Sequence, residues 1–200
     1  MKVLNFNSEE EWLESREGKI TGTVAKNVIT IRGTTKKKGF WELIAKRVAL
    51  PRDGENPMER GRRLEGEAID LFAKETGKKV NKDLVLCVSD EDSNIAYSPD
   101  GLIGKTEDVE VKCINSASHI EALITQKIPT EYDFQVLQAF IVNPQLKRRY
   151  IVFYDPAIQA KPFFYITVER KDVEEDVKKY LEEELRIIKE VEEITNQLTF

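Results

Sequence analysis

The spacing of apolar positions changes along the chain, and each change marks an element. Ser8 and Glu11 have capping-box spacing ahead of Trp12 and Leu13, which predicts a short helix ended by Gly18. A second short helix is expected from Ile20. Phe40, Trp41, Ile44, Ala45 and Val48 recur at helical spacing, and a loop from Pro51 to Glu55 follows. Asn56-Pro57 places a cap and then a proline at the start of a long helix that Gly77 ends. Its apolar stripe is Leu64, Ala68, Leu71 and Phe72, with Glu65 at the edge. Residues 79–88 read as a strand. Helices are expected at 116–126 and 130–142, the second with Phe134, Leu137 and Ile141 on one face. Strands are expected at 150–154 and 163–168. Val173, Val177, Leu181, Leu185, Ile188, Val191 and Ile194 then trace one amphipathic helix to Leu198 that packs on the sheet. The expectation is a single α/β domain over 1–200, with a mixed central sheet flanked by helices. It comprises a helical segment at 8–77, a sheet core at 79–170 and a terminal helix at 172–198.

The most informative stretch is 97–112. Val109-Glu110-Val111-Lys112-Cys113 alternates apolar and charged, as a strand does, so Glu110 and Lys112 share a face. Gly101 to Glu107 reads as the preceding strand and hairpin turn, which returns Glu110 to the neighbourhood of Asp100. Two carboxylates and an ammonium then form one cluster. Oxygen ligands in that number suit magnesium, which keeps several waters. A bare Glu-x-Lys also occurs as a surface ion pair on exposed hairpins; the Pro99-Asp100-Gly101 ahead of it sets this one apart. Gln135 and Gln138 flank an apolar helix face as a polar rim, and the lone His119 reads as a surface or core residue.

Composition narrows the picture. No apolar run reaches the roughly 18 residues of a membrane span, and the first residues lack a secretory apolar stretch. Cys87 and Cys113, the two cysteines, are read as free buried thiols and are too few for an iron–sulfur cluster. The net charge of −5 is unevenly spread. From Arg16 to Arg63, 13 basic residues face 5 acidic ones; from Glu169 to Glu193, 6 face 11. The basic part, with its loop from Arg32 to Lys38, is either a nucleic-acid face or a solvated surface.

Asp100, Glu110 and Lys112 match the Pro-Asp…Glu-x-Lys pattern of the PD-(D/E)XK nucleases. More narrowly, the chain resembles the phage lambda exonuclease family of viral recombination nucleases. The likeness is carried by Trp12 to Arg16 with Gly18 to Thr23, by Gly61 to Gly66, by Ser98 to Leu102, by Asp133 to Gln138 and by Tyr154-Asp155-Pro156. Thr23 stands where the family has serine and Gly22 where it has alanine; the hydroxyl is kept.

The resemblance implies a restriction-endonuclease-like core and a magnesium-dependent 5′-to-3′ exonuclease on linear double-stranded DNA that leaves 3′ overhangs for strand annealing. Asp100, Glu110 and the Val111 carbonyl would hold the metal, with Glu65 approaching from the long helix. Lys112 would orient or deprotonate water, and Gln135 would position Lys112 or that water. Arg16 and Thr23 would hold the 5′-terminal phosphate. Manganese is expected to substitute for magnesium, and calcium to bind without turnover. The implied partners are DNA ends, two further copies in a ring-shaped homotrimer, and a single-strand annealing protein. A non-cleaving DNA-binding subunit and a structure-specific endonuclease are the alternatives on the same fold.

Overall fold

A computed structural model describes residues 4–31, 33–51, 54 and 56–198. The basic loop expected from Arg32 and the loop expected at 51–55 include Arg32, Arg52, Asp53 and Glu55, which lie outside the described residues.

Four helices come first: α1 (Glu9–Arg16), α2 (Gly22–Val28), α3 (Lys38–Val48) and α4 (Pro57–Thr76). Two strand pairs follow, β1 (Cys87–Val88) with β2 (Ala96–Tyr97) and β3 (Gly101–Ile103) with β4 (Glu107–Lys112). Then come α5 (Ser116–Thr125), α6 (Asp133–Val142), β5 (Arg148–Tyr154), β6 (Phe163–Glu169) and α7 (Arg170–Leu198). The central sheet has the order β3-β4-β5-β6; β4 and β5 run parallel and the outer pairs are antiparallel. The expected mixed sheet between helices is therefore present.

Local chemistry explains the ends of α4. The Asn56 side chain accepts from the Met58 N–H at 2.9 Å, and Gly77 closes the helix in the left-handed region at φ +69°. Ser8 Oγ accepts from Glu11 N–H at 3.1 Å, while the Glu11 carboxylate reaches back to Asn7 N–H at 3.0 Å.

Strand alternation gives the sheet two unlike faces. Val109, Tyr150, Val152 and Tyr154 pack under Leu64, Ala68 and Phe72 of α4. Ile151 and Phe153 lie on the opposite face, in a core shared with α6 and α7. A third, smaller cluster joins Trp41 of α3 to Ala117 and Ile120 of α5.

Several expectations are corrected. The strand read at 79–88 survives only as Cys87–Val88 and a bridge from Asn81 to Leu102; Leu84 and Leu86 are exposed. An apolar run alone does not supply a pairing partner, and β1 with β2 forms a separate ribbon. Residues 130–132 are a 3₁₀ turn, so α6 starts at Asp133; Phe134, in its first turn, is exposed and edge-on to Tyr180. Trp12, Leu13 and Val48 are exposed. Val173, Val177, Leu181, Leu185 and Ile188 of α7 pack on the core, whereas Val191, Ile194 and Leu198 are exposed beyond it. Cys87 and Cys113 are free and half-buried. No helix among the described residues is long and apolar enough to cross a membrane.

Candidate active site

The β3–β4 hairpin sets the site. Gly104 makes its turn at φ +63°, and Gly101 pairs with Val109, which leaves Asp100 level with Glu110. A Cβ at Gly101 would run into the Val80 Cγ1 methyl, so any larger residue after Asp100 forces Val80 to shift. Asp100 Oδ2 accepts from the Val111 N–H at 2.7 Å. The N–H and C=O of a strand residue leave by the same edge, so the Val111 carbonyl faces the Asp100 side as well.

Asp108, Glu110 and Lys112 share the α6 face of β4. Lys112 Nζ donates to Glu110 Oε1 at 2.8 Å and to Gln135 Oε1 at 2.5 Å, and it stands 4.5 Å from the centre of the Tyr132 ring. Glu110 Oε2 accepts from Arg149 Nη2 at 2.6 Å. The expected grouping of Asp100, Glu110, Lys112 and Gln135 is thus present, through contacts contributed by β3, β4 and α6.

Glu65 enters from α4. The start of that helix is tied to the far end of the sheet: Arg60 Nη2 donates to Asp155 Oδ1 at 2.7 Å, Arg60 Nη1 to the Cys113 carbonyl at 3.2 Å, and Ser116 Oγ to Asp155 Oδ2 at 2.6 Å. Glu65 lines an open cleft of about 740 Å³ together with Asp100, Arg62 and Lys82.

The carboxylates crowd one another. Burial, then the charge of Glu110, pushes the Asp100 carboxyl up to about 7, with Glu65 adding to the rise and the Val111 N–H opposing it. Burial and then Glu110 also raise Glu65. Burial drives the Cys113 thiol up to about 12, which makes it a poor nucleophile and a poor metal ligand. Among the described residues, no three His, Cys, Asp or Glu side chains converge to enclose a metal unaided. The donor set still fits a hard, hydrated cation. It offers carboxylate oxygens and a carbonyl, and it carries mutual repulsion that a cation would relieve.

Arg16 and Thr23 lie elsewhere, in a separate open cleft of about 760 Å³ between α1 and α2. Lys46 and Thr21 line it too, as do Glu9, Glu10, Glu14 and Glu17. The Arg16 guanidinium is 4.3 Å from the Trp12 ring, and the Thr21 and Thr23 hydroxyls are 3.1 Å apart.

Sequence reasoning missed Arg149 and Asp108. Both are charged and fully buried, Arg149 at 1% and Asp108 at 0% exposure. Asp108 was legible as one more charged residue on the Glu110 face. Arg149 gives no local signal, because only its pairing with β4 buries it.

The model of the YqaJ-like viral recombinase domain matches residues 11–143. Comparison with curated proteins finds no match. Among solved structures, the alkaline exonuclease LHK-Exo from Laribacter hongkongensis is 28% identical with a TM-score of 0.56, over 95% of this chain and 100% of that one. Its complex with dAMP matches equally. A phage-related exonuclease from Haemophilus somnus 129PT is 15% identical with a TM-score of 0.45, over 88% of this chain and 84% of that one. The expected nuclease fold and the resemblance to phage recombination nucleases are borne out, and the chain belongs to the YqaJ-like viral recombinase family.

Proposed function

We propose that the protein is a magnesium-dependent 5′-to-3′ exonuclease that degrades one strand of linear double-stranded DNA, leaving 3′ overhangs for recombination by strand annealing. Family membership and the likeness to an alkaline exonuclease support a nuclease role in recombination. The observation that carries the reading is the bridging of Glu110 and Gln135 by Lys112 beside Asp100. A pure DNA-binding subunit has no use for crowded carboxylates where phosphate must approach.

Asp100, Glu110 and the Val111 carbonyl would hold the metal, with Glu65 beside them. A divalent ion bound there lowers the pKa of water and neutralises charge developing on a phosphate. Lys112 would orient a water as an ammonium, or take its proton as the neutral amine, with Nζ held by the Gln135 side chain. Arg16 and Thr23 would receive the terminal phosphate, the guanidinium as a two-pronged donor and the threonine as a hydroxyl donor. Manganese would substitute, and calcium would bind without supporting turnover. Assembly as a homotrimeric ring on the duplex and pairing with an annealing protein belong to the same reading.

The test is digestion of 5′-end-labelled linear duplex beside covalently closed circles, with magnesium and with chelator. The expected result is magnesium-dependent release of labelled mononucleotide from linear DNA and intact circles. Binding without cleavage would favour the non-cleaving subunit, and nicked circles the endonuclease.

A further inference from the structure

Arg149 is the second residue of β5, and its side chain is 1% exposed. A guanidinium removed from water is strongly unfavourable unless its charge and donors are matched. Two carboxylates match the charge of this one, and a carboxylate and a carbonyl accept from its two Nη groups, while Nε lacks a hydrogen-bond acceptor among the described residues. Nη2 donates to Glu110 Oε2 at 2.6 Å, Nη1 to the Gln135 carbonyl at 2.5 Å, and Nε stands 3.6 Å from Asp108 Oδ1. Strand register brings them together, since Arg149 pairs with Asp108 across the parallel β4–β5 ladder. The Tyr97 ring, 5.6 Å from the guanidinium carbon, covers the remaining side.

The groups Arg149 holds are the ones the candidate chemistry needs. Glu110 and Gln135 meet a second time at Lys112. Arg149, Glu110, Lys112 and Gln135 therefore close a ring joining β4, β5 and α6. Within it the two oxygens of Glu110 are unequal. Oε2 is bound to the buried guanidinium, whereas Oε1 meets Lys112, whose side chain is 11% exposed.

We propose that Arg149 is a positioning residue: it restricts Glu110 to one outward oxygen and fixes the Gln135 main chain, so that turnover and the preference for magnesium over calcium depend on it. This rests on the nuclease reading for turnover, but the metal preference can be measured without DNA. Magnesium demands a tight octahedral shell, which a single fixed oxygen suits. Calcium takes longer bonds and accepts two oxygens from one carboxylate, so a Glu110 free to turn would suit it better.

The experiment compares wild type with Arg149→Lys and with the double variant Arg149→Met, Asp108→Asn. The double variant removes a buried cation and a buried anion together and leaves no surplus charge. Three quantities are measured: kcat and KM on linear duplex with magnesium, affinities for magnesium and calcium alone by calorimetry on DNA-free protein, and the melting temperature. The double variant is expected to melt cooperatively, to keep KM within about threefold, to lose about 10- to 100-fold in kcat, and to gain about 10-fold in its calcium-to-magnesium affinity ratio. Arg149→Lys, which keeps the charge but loses the fork, should fall between the two. A kcat and an affinity ratio within about twofold of wild type in either variant overturn the proposal. So does a kcat loss that merely parallels loss of folded protein. A wild type that binds metal but never cuts DNA defeats the nuclease reading instead, and the affinity ratio still decides Arg149.

Discussion

The two clefts are built differently. Glu110 and Lys112 stand on β4 and Asp100 directly precedes β3, in a sheet covered on both faces, beside Val109, Ile151 and Phe72, which are fully buried. The Arg16–Thr23 cleft is formed by α1, which buries no residue, and α2, which buries only Val28. These two helices are fastened by polar contacts at their margins. Arg47 Nη2 donates to the Gly18 carbonyl at 3.0 Å, and Lys37 Nζ to the Lys26 carbonyl at 2.7 Å. Chemistry on a phosphodiester needs groups held within fractions of an ångström, which packed strands provide. Capture of a mobile DNA end tolerates a looser frame, and segments with few buried contacts are the ones that open locally. Damage to the first cleft should therefore act on rate, and damage to the second on recognition.

The largest effect expected is at the first cleft. Asp100→Ala and Glu110→Gln should each lower the cleavage rate by about a thousandfold or more while DNA affinity, read by fluorescence anisotropy, stays near wild type. The glutamine is chosen because an alanine would leave Arg149 facing an empty position. Parallel losses of affinity and rate would mean that these residues dock the duplex and do not act on it.

Much of the first cleft was legible because it rests on local rules. Alternation along 109–113 puts Glu110 and Lys112 on one face, and the hairpin brings Asp100 level with them. The caps at Asn56 and Gly77 fix α4, and with it Glu65. Arg149 was not legible. It precedes an apolar run, where a charged residue reads as a solvated flank, and its burial follows from register with a strand some forty residues earlier. Leu84 failed in the opposite direction. Its run looks like a buried strand, but among the described residues the stretch reaches the edge strand β3 only through Asn81, and Leu84 stays exposed. Phe134 has the right period, yet it lies in the first turn of α6, ahead of the buried stretch that begins at Val136. In each case a long-range partner or a place at the end of an element decided the outcome.

A smaller effect is expected at the second cleft. Arg16→Ala should slow digestion of 5′-phosphorylated ends about tenfold and of 5′-hydroxyl ends little, with Arg16→Lys intermediate because lysine lacks the fork. Initial rates on matched linear duplexes decide this. Equal slowing on both ends would make Arg16 part of the general basic surface. A wild type indifferent to the end would remove the terminal-phosphate reading altogether.

The smallest effect is thermodynamic, and it asks whether the first cleft is a cation site independently of DNA. Asp100 sits at about 7 against an ordinary value of 3.8, because burial and the neighbouring Glu110 disfavour its charge. A carboxyl raised in this way binds its proton more tightly folded than unfolded. Its contribution to stability is complete below about pH 4 and is lost as pH rises through about 7. Asp108, raised to about 6 chiefly by burial, acts in the same direction. Metal-free protein should therefore lose stability between about pH 4 and pH 8. Magnesium requires the deprotonated Asp100, so its stabilisation must grow over the same window. Ligand at a hundredfold its dissociation constant adds about 2.7 kcal/mol, which for a chain of this size is a rise of roughly 5–10 °C in melting temperature. That rise is expected at about pH 8 and should shrink to about half, roughly 3–6 °C, at about pH 6, where protonation of Asp100 weakens apparent affinity about tenfold. Asp100→Asn should abolish it at both and flatten the metal-free profile. Melting curves with magnesium and with chelator at the two pH values measure all of this, and an equal magnesium shift at both would place the ion somewhere other than Asp100.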